Sequence, residues 1–384
     1  RADVMLPLRL PSRASRATPM LLALFALAAC EQDGPPPEPP LPPGALEAVS
    51  EKPGVARETL ARKVDALFTR KGIGETRALL IMHDGKIAAE RYGKDYGPQS
   101  RHQGWSMSKT VTGVLIGMMV SDGRLRLDDS APVELWQRPG DPRGEITLRH
   151  LLQMRSGLRH EEKADPVYTS GEVRMMFLDG RDDMGGWAEA QPLEFEPGTH
   201  FTYSTPTAMI LADIATDLVA PDASADRRQA AMAEFIAARL ARPLGMESLT
   251  GEYDASGTLL GGSAIWANAR DWAKFGEFLR RNGVAGGVQV VPRGWVAFMT
   301  TPSPASPDYG AQVWLNRESN AERDYLFARQ GPASAFAAIG HLGQYVIVLP
   351  EQRLTIVRLG KTDEEQRPAL VDALAEIAAL YSGR

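Results

Sequence analysis

Apolar positions recur along this chain at two periods, one helical and one extended. Between residues 57 and 70, Leu60, Val64 and Leu67 return at helical spacing and Gly72 follows, which predicts a helix. Ala78–Met82 and Lys86–Arg91 read as short strands separated by His83-Asp84-Gly85, and Asp-Gly suits the primed turn of a hairpin. The segment from Ser106 to about Ser121 is rich in Val, Leu, Ile and Met and predicts an apolar helix. From about 125 to 285 the pattern is mostly helical and broken by Gly and Pro, with Pro206–Val219 and Gln229–Leu240 the clearest helices. Strand signals return at Gly310–Leu315, Tyr325–Ala328, Ala335–Ile339, Tyr345–Leu349 and Leu354–Leu359. A last helix carries Leu370, Leu374, Ile377 and Tyr381 on one stripe, with Thr362 or Asp363 as its cap. Strands without alternating helices between them predict an α+β fold. Its antiparallel sheet is made from both ends of the chain, around an inserted, mostly helical region at about 125–285.

Composition narrows the function. The 384 residues are 43% hydrophobic and 24% charged, with a formal net charge of −5, so no broad basic face exists to neutralise phosphates and nucleic acid is not an expected partner. Six histidines and one cysteine supply neither a disulfide framework nor a Cys/His metal cluster, and no metal or cofactor is expected. His160-Glu161-Glu162-Lys163-Ala164 imitates the start of a zinc-protease helix, but Ala164 stands where the second histidine would be needed.

The single cysteine follows a leader-like segment. Arg9, Arg13 and Arg16 precede an apolar run from Met20 to Ala29, which is too short to cross a bilayer and ends at Leu27-Ala28-Ala29-Cys30. The tetrapeptide resembles a bacterial lipobox. That implies a signal peptide over residues 1–30, lipidation of Cys30 and attachment to a membrane on the periplasmic face of the bacterial envelope. A plain signal peptide with an incidental cysteine is the alternative. Residues 31–50 open with EQDGPPPEPPLPPG, which suits an extended polyproline spacer, so residues 51–384 are expected to hold the globular domain.

Candidate chemistry centres on Gly104-Trp105-Ser106-Met107-Ser108-Lys109. If Ser106 opens the helix, Lys109 lies one turn on, on the same face. A lysine can serve as the serine's base when burial and the positive helix N-terminus lower its pKa. Ser-x-x-Lys alone also describes an N-cap serine followed by a surface lysine. Gly104 to Ser108 is nearly the nucleophile elbow of an α/β-hydrolase, but it lacks the final Gly and a buried preceding strand.

Other segments then match in order. With Ile146-Thr147-Leu148-Arg149-His150-Leu151-Leu152, Ser156-Gly157-Leu158, Pro197-Gly198-Thr199-His200-Phe201-Thr202-Tyr203-Ser204-Thr205, Pro243-Leu244-Gly245-Met246, Gly261-Gly262 and Tyr309-Gly310, the chain from about residue 57 onward resembles the serine beta-lactamase and penicillin-binding protein superfamily. The resemblance implies a beta-lactamase/transpeptidase-like fold, with Ser106 as nucleophile, Lys109 as general base and Tyr203 in the proton relay, its pKa lowered by nearby cations. Thr205 stands where the family usually has Asn. The usual Lys-Thr-Gly is missing, and Ala338-Ile339-Gly340-His341-Leu342-Gly343-Gln344 resembles instead the Gly-x-x-Gly-Gln version of aminohexanoate (nylon) oligomer hydrolases and family VIII-type carboxylesterases. The oxyanion hole is then expected from the backbone N–H groups of Ser106 and His341, with Gln344 the alternative if the register slips and otherwise a substrate contact. Tyr168 and Trp266 are expected either to line the acyl pocket or simply to pack on the helical region. These readings imply hydrolysis of a small ester or amide. A sensor or scaffold with little turnover, or a DD-peptidase or beta-lactamase, are the competing functions.

Overall fold

Alternating side chains build a six-stranded antiparallel sheet whose two faces each carry their own core. The computed structural model describes residues 39–382 except 320 and 322; the leader, Cys30 and residues 31–38 of the proline-rich spacer lie outside the described residues. Strands β1 (Glu75–His83), β2 (Lys86–Tyr92), β3 (Trp314–Leu315), β4 (Phe336–Gly340), β5 (Gln344–Leu349) and β6 (Leu354–Lys361) lie in the order β2-β1-β6-β5-β4-β3. The sheet therefore joins both ends of the body, with β1 beside β6 from Glu75↔Lys361 to His83↔Leu354. The β1–β2 hairpin turns at Asp84 (φ 53°) and Gly85 (φ 75°), the left-handed pair a primed turn requires.

Period-two patterning decides which face each residue serves. Leu79, Ile81, Ile347, Leu349 and Ile356 pack with Leu60, Val64 and Leu67 of helix α1 (Arg57–Thr69) and with Leu370, Leu374 and Ile377 of the C-terminal helix. Their neighbours Leu80, Val346, Val348 and Val357 face the other way, onto Val111 and Leu115 of α2 (Met107–Ser121). That second face also holds Trp272 and Phe275 of the helix Ala269–Arg280. Val346 and Val348 are fully buried, and each such side chain contributes on the order of 1.5–3 kcal/mol. Helix α3 (Thr205–Val219) packs across α2, begins at Ser204, whose hydroxyl accepts from Thr207 N, and carries Pro206 in its first turn.

A small three-stranded sheet aims the segment before α2. Arg101–Gln103 pairs with Ile265–Asn268, which pairs with Thr250–Gly251, and Gly104 N–H continues the ladder to Ile265 O at 2.8 Å. The chain thus enters α2 from a fixed direction.

Some expected elements differ. Tyr325–Ala328 is not a strand; Leu326 and Phe327 are buried as loop anchors of the first core face. Gly310–Leu315 shortens to Trp314–Leu315 because Gln312 takes φ 63° and turns its amide to Leu152 O. The helix expected at Gln229–Leu240 starts at Ala225, and its last turn, Ala237–Ala241, widens to a π-helix. The C-terminal helix runs Arg367–Leu380, and Asp363 caps a 3-10 turn, Glu364–Gln366, that leads into it. The packed body begins at Leu41, ahead of the spacer boundary expected at residue 50: Val49 bridges Ala89, and Arg57 donates to Leu46 O and Val49 O.

Candidate active site

Ser106 stands at the N-cap of α2 with φ −64° and ψ −7°, yet its hydroxyl caps no backbone N–H. It receives a hydrogen bond from Lys109 Nζ at 2.9 Å instead. Lys109 is 1% exposed, and its amine also donates to Thr205 Oγ1 and Gly262 O, both at 2.9 Å. Burial pushes the Lys109 pKa down, while the carboxylates of Glu162 and Glu172 pull it part of the way back. A buried lysine whose pKa is lowered, bonded to a serine hydroxyl, is the arrangement a serine nucleophile needs.

The backbone explains why these groups meet. Trp105, just before the serine, takes φ 48°, a left-handed conformation uncommon for a bulky residue. Its ring meets His341 edge-on at 5.3 Å. Gly261 and Gly262 let their segment lie against two helices at once. A Cβ on Gly261 would sit 2.4 Å from Thr112 Oγ1, and one on Gly262 would sit 2.9 Å from Thr205 Cγ2. That close approach brings the Gly262 carbonyl to Lys109. The polar side chains of buried α2 are matched in the same way: Ser108 Oγ accepts from Ile265 N, Thr110 donates to Gln312 O and Thr112 to Gly261 O.

Tyr203 enters from the segment before α3. It is partly buried, hydrogen-bonded to Ser106, and its ring lies 5.1 Å from Lys109 Nζ. The expectation that cations lower its pKa is corrected here. Burial raises it well above 10, Tyr309 and Glu162 push the same way, and the bond to Ser106 offsets only part. Tyr203 is therefore a neutral phenol, able to pass a proton through its hydroxyl without standing as a phenolate. Tyr309 and Trp314 support its ring at 5.8 and 5.1 Å.

At the end of β4, Gly340 comes so close to the turn before Ser106 that a Cβ would lie 2.2 Å from Gly104 O. His341 and Leu342 (φ 60°) form the tight turn into β5. Gln344 holds this turn from beneath. Its amide donates to His341 O, Leu342 O and Gly360 O and accepts from Gly360 N, so all of it is engaged within the sheet. Arg358, fully buried, donates to Gly343 O, Glu75 O and Thr76 Oγ1 and braces the other side.

The remaining candidates lie further out. Tyr168 is 61% exposed in the 3-10 turn Val167–Thr169. Trp266 is tied through Nε1 to Glu252 at 2.6 Å and pairs with Gln103. Neither makes a hydrogen bond or ring contact with Ser106, Lys109 or Tyr203 among the described residues. His160 is buried with Nε2 3.0 Å from Ala188 O and Nδ1 2.9 Å from Thr207 Oγ1; the carbonyl can only accept, so Nε2 carries the proton. His150 closes a reciprocal cap with Thr147, and His200 stacks on Phe195 at 4.0 Å. No group of three or more metal-ligating side chains converges among the described residues.

Sequence reasoning missed two carboxylates. Glu162 accepts from both the backbone N–H and the hydroxyl of Thr205, at 2.5 and 2.6 Å, and Glu172 lies 3.4 Å from the same hydroxyl. Glu172 is pushed up to about 7 by burial and by Glu162. Glu162 lies within the imitation zinc motif, where its spacing to Thr205, 43 positions on, carries no pattern.

A sequence model of the Beta-lactamase family matches residues 60–381. The chain belongs to the beta-lactamase family. Within it, the chain is 26% identical over 264 residues to the 6-aminohexanoate-dimer hydrolase of Paenarthrobacter ureafaciens; the match covers 65% of this chain and 63% of that relative's length. Two solved structures share the fold of this beta-lactamase family member. A family VIII carboxylesterase has TM-score 0.59 at 15% identity, covering 83% of this chain and 97% of its own. A hydrolase with promiscuous acyltransferase activity has TM-score 0.60 at 18% identity, covering 85% and 99%.

Proposed function

We propose that this beta-lactamase family member is a serine hydrolase that cleaves an ester or amide bond through an acyl-enzyme on Ser106. The observation that carries the reading is the buried Lys109 amine, its pKa lowered, 2.9 Å from the Ser106 hydroxyl. Lys109 takes the serine proton as Ser106 Oγ attacks the carbonyl carbon. The developing oxyanion is received by the N–H groups of Ser106, at the positive end of α2, and of His341, in the turn after Gly340. Tyr203 passes the proton from Lys109 to the departing alcohol or amine. Water then attacks the acyl-enzyme by the same relay in reverse and releases the acid. Gln344 shapes the turn that presents His341 N–H, and Tyr168 and Trp266 are left to the outer rim of the substrate cleft.

An ester or simple amide is favoured over a beta-lactam. At the third motif, where a cation would bind the beta-lactam carboxylate, stands His341, whose pKa is lowered by burial and by Lys163 and Arg367. Lys163 itself is paired with Glu364 at 2.9 Å. Steady-state turnover of nitrophenyl esters, nitroanilides and a chromogenic beta-lactam tests the reading. Sustained ester or anilide turnover that outpaces the beta-lactam supports it. A single stoichiometric burst without turnover would instead favour a sensor that is acylated once.

A further inference from the structure

Lys109 must present a lone pair to Ser106 if it is to accept the proton, yet three oxygens surround its nitrogen at 2.9 Å. A neutral amine has two N–H donors and one lone pair. Gly262 O is a carbonyl and can only accept, so one N–H goes there. Thr205 Oγ1 is a hydroxyl and could either accept the second N–H or donate to the lone pair. In the second case Thr205 would compete with Ser106 for the lone pair, and the base would be misdirected.

We propose that Glu162 is a positioning residue that settles this choice by fixing the Thr205 hydroxyl so that the Lys109 lone pair points at Ser106. The inference rests on the acyl-transfer reading above. Glu162 takes both donors of Thr205, the N–H at 2.5 Å and the hydroxyl at 2.6 Å. With its proton directed to Glu162, Thr205 Oγ1 can only accept from Lys109. Both N–H groups of the amine are then engaged, and Ser106 alone remains to meet its lone pair. The carboxylate sits at the N-terminus of α3, a 15-residue helix whose dipole favours negative charge there. Glu172, at 3.4 Å, is the poorer acceptor, and raised to about 7 it holds a proton through the acidic range.

The groups facing Lys109 are few. Glu162 comes from the segment after His160, Glu172 from the helix Gly171–Phe177, and Tyr203 from the segment before α3, with Lys163 acting on Glu172 and Tyr309 and Tyr325 standing behind Tyr203. Among these, Glu162 alone accepts both donors of Thr205.

Glu162→Gln in the full chain is the test, because it keeps the shape and changes only the direction of one bond. The amide oxygen must face Thr205 N–H, which places the amide NH2 against Thr205 Oγ1 and turns that hydroxyl toward the lysine lone pair. On a nitrophenyl ester, kcat should fall at least tenfold with KM within about twofold. Removing a negative charge beside Lys109 should also move the rising limb of the pH–rate profile to lower pH, which a merely structural role would not do. Thr205→Ser should retain activity and Thr205→Val should lose it, and adding Glu162→Gln to Thr205→Val should cost nothing further. Wild-type kcat and an unmoved pH profile in Glu162→Gln would overturn the proposal. If that variant fails to fold, full activity in Thr205→Val overturns it equally. Lys109→Ala, measured alongside, separates the levels: if it is inactive while Glu162→Gln is active, only this inference falls, whereas an active Lys109→Ala removes the acyl-transfer reading beneath it.

Discussion

Replacing Gly340 by Ala perturbs the site through sterics alone. Gly340 has no positive φ, so alanine suits its backbone, and in open space the change would stabilise the chain slightly by restricting the unfolded state. The space is not open. The added Cβ would lie 2.2 Å from Gly104 O, about 0.8 Å inside the 3.0 Å below which real Cβ contacts essentially never fall. That neighbour is backbone, and Gly104 O also accepts from Met107 N at 3.0 Å in the turn that opens α2. The end of β4 and the Ser106 turn must therefore separate by close to 1 Å, which moves the His341 and Ser106 N–H groups apart. Misplacement on that scale, or loss of one oxyanion donor, costs about 10²-fold or more in kcat. Initial rates on a nitrophenyl ester across a range of concentrations give kcat and KM, and a thermal melt checks the fold. The expected result is kcat reduced about a hundredfold in a protein that still melts cooperatively. A folded Gly340→Ala enzyme with kcat within threefold of wild type would refute the idea that this junction builds the oxyanion site.

Further outcomes follow from the same geometry. Lys109→Ala and Tyr203→Phe should each lower kcat on the order of a hundredfold, measured on the same ester, and either variant at near-full rate would remove that residue from the relay. Glu189 is pushed up to about 9 by burial and by Asp213, Asp217 and Asp183. Its folded pKa lies above the unfolded value near 4.5, so its proton-linked stability is complete below pH 4.5 and declines as pH rises toward 9. Glu189→Gln should thus gain on the order of 1–3 kcal/mol at pH 7.5 in urea titrations and lose that advantage near pH 4.5; an equal effect at both pH values would contradict the assignment. Full-length protein expressed in a bacterium that processes lipoproteins should enter the detergent phase on phase partitioning and Cys30→Ser should not; equal partitioning of the two would argue against the lipid anchor.

The sheet was legible because its strands are continuous runs of β-branched and aromatic residues, as in Gln344–Leu349, where alternate residues feed two different cores. Helix α2 was legible for a different reason, being rich in Val, Leu, Ile and Met and longer than a strand. The strand expected at Tyr325–Ala328 failed because burial of Leu326 and Phe327 comes from loop anchoring, which leaves the same apolar signature as a ladder. Ser106, Lys109 and Tyr203 could be proposed from ordered short motifs. The environment that sets their protonation could not. Glu162 and Glu172 reach Lys109 across distant parts of the chain, and the neutrality of Tyr203 depends on burial among Tyr309 and Trp314, 106 and 111 positions away. Spacing rules act within a few residues, and a dielectric environment is set by everything that folds around the group.

The central claim is that Lys109 makes Ser106 a nucleophile. The protein should be treated with a fluorophosphonate probe, beside Ser106→Ala and Lys109→Ala, and the adduct located by mass spectrometry. The account predicts one stoichiometric adduct on Ser106, absent in Ser106→Ala and formed at least tenfold more slowly in Lys109→Ala. An unlabelled Ser106 in folded wild-type protein, or labelling that is indifferent to the loss of Lys109, would contradict it.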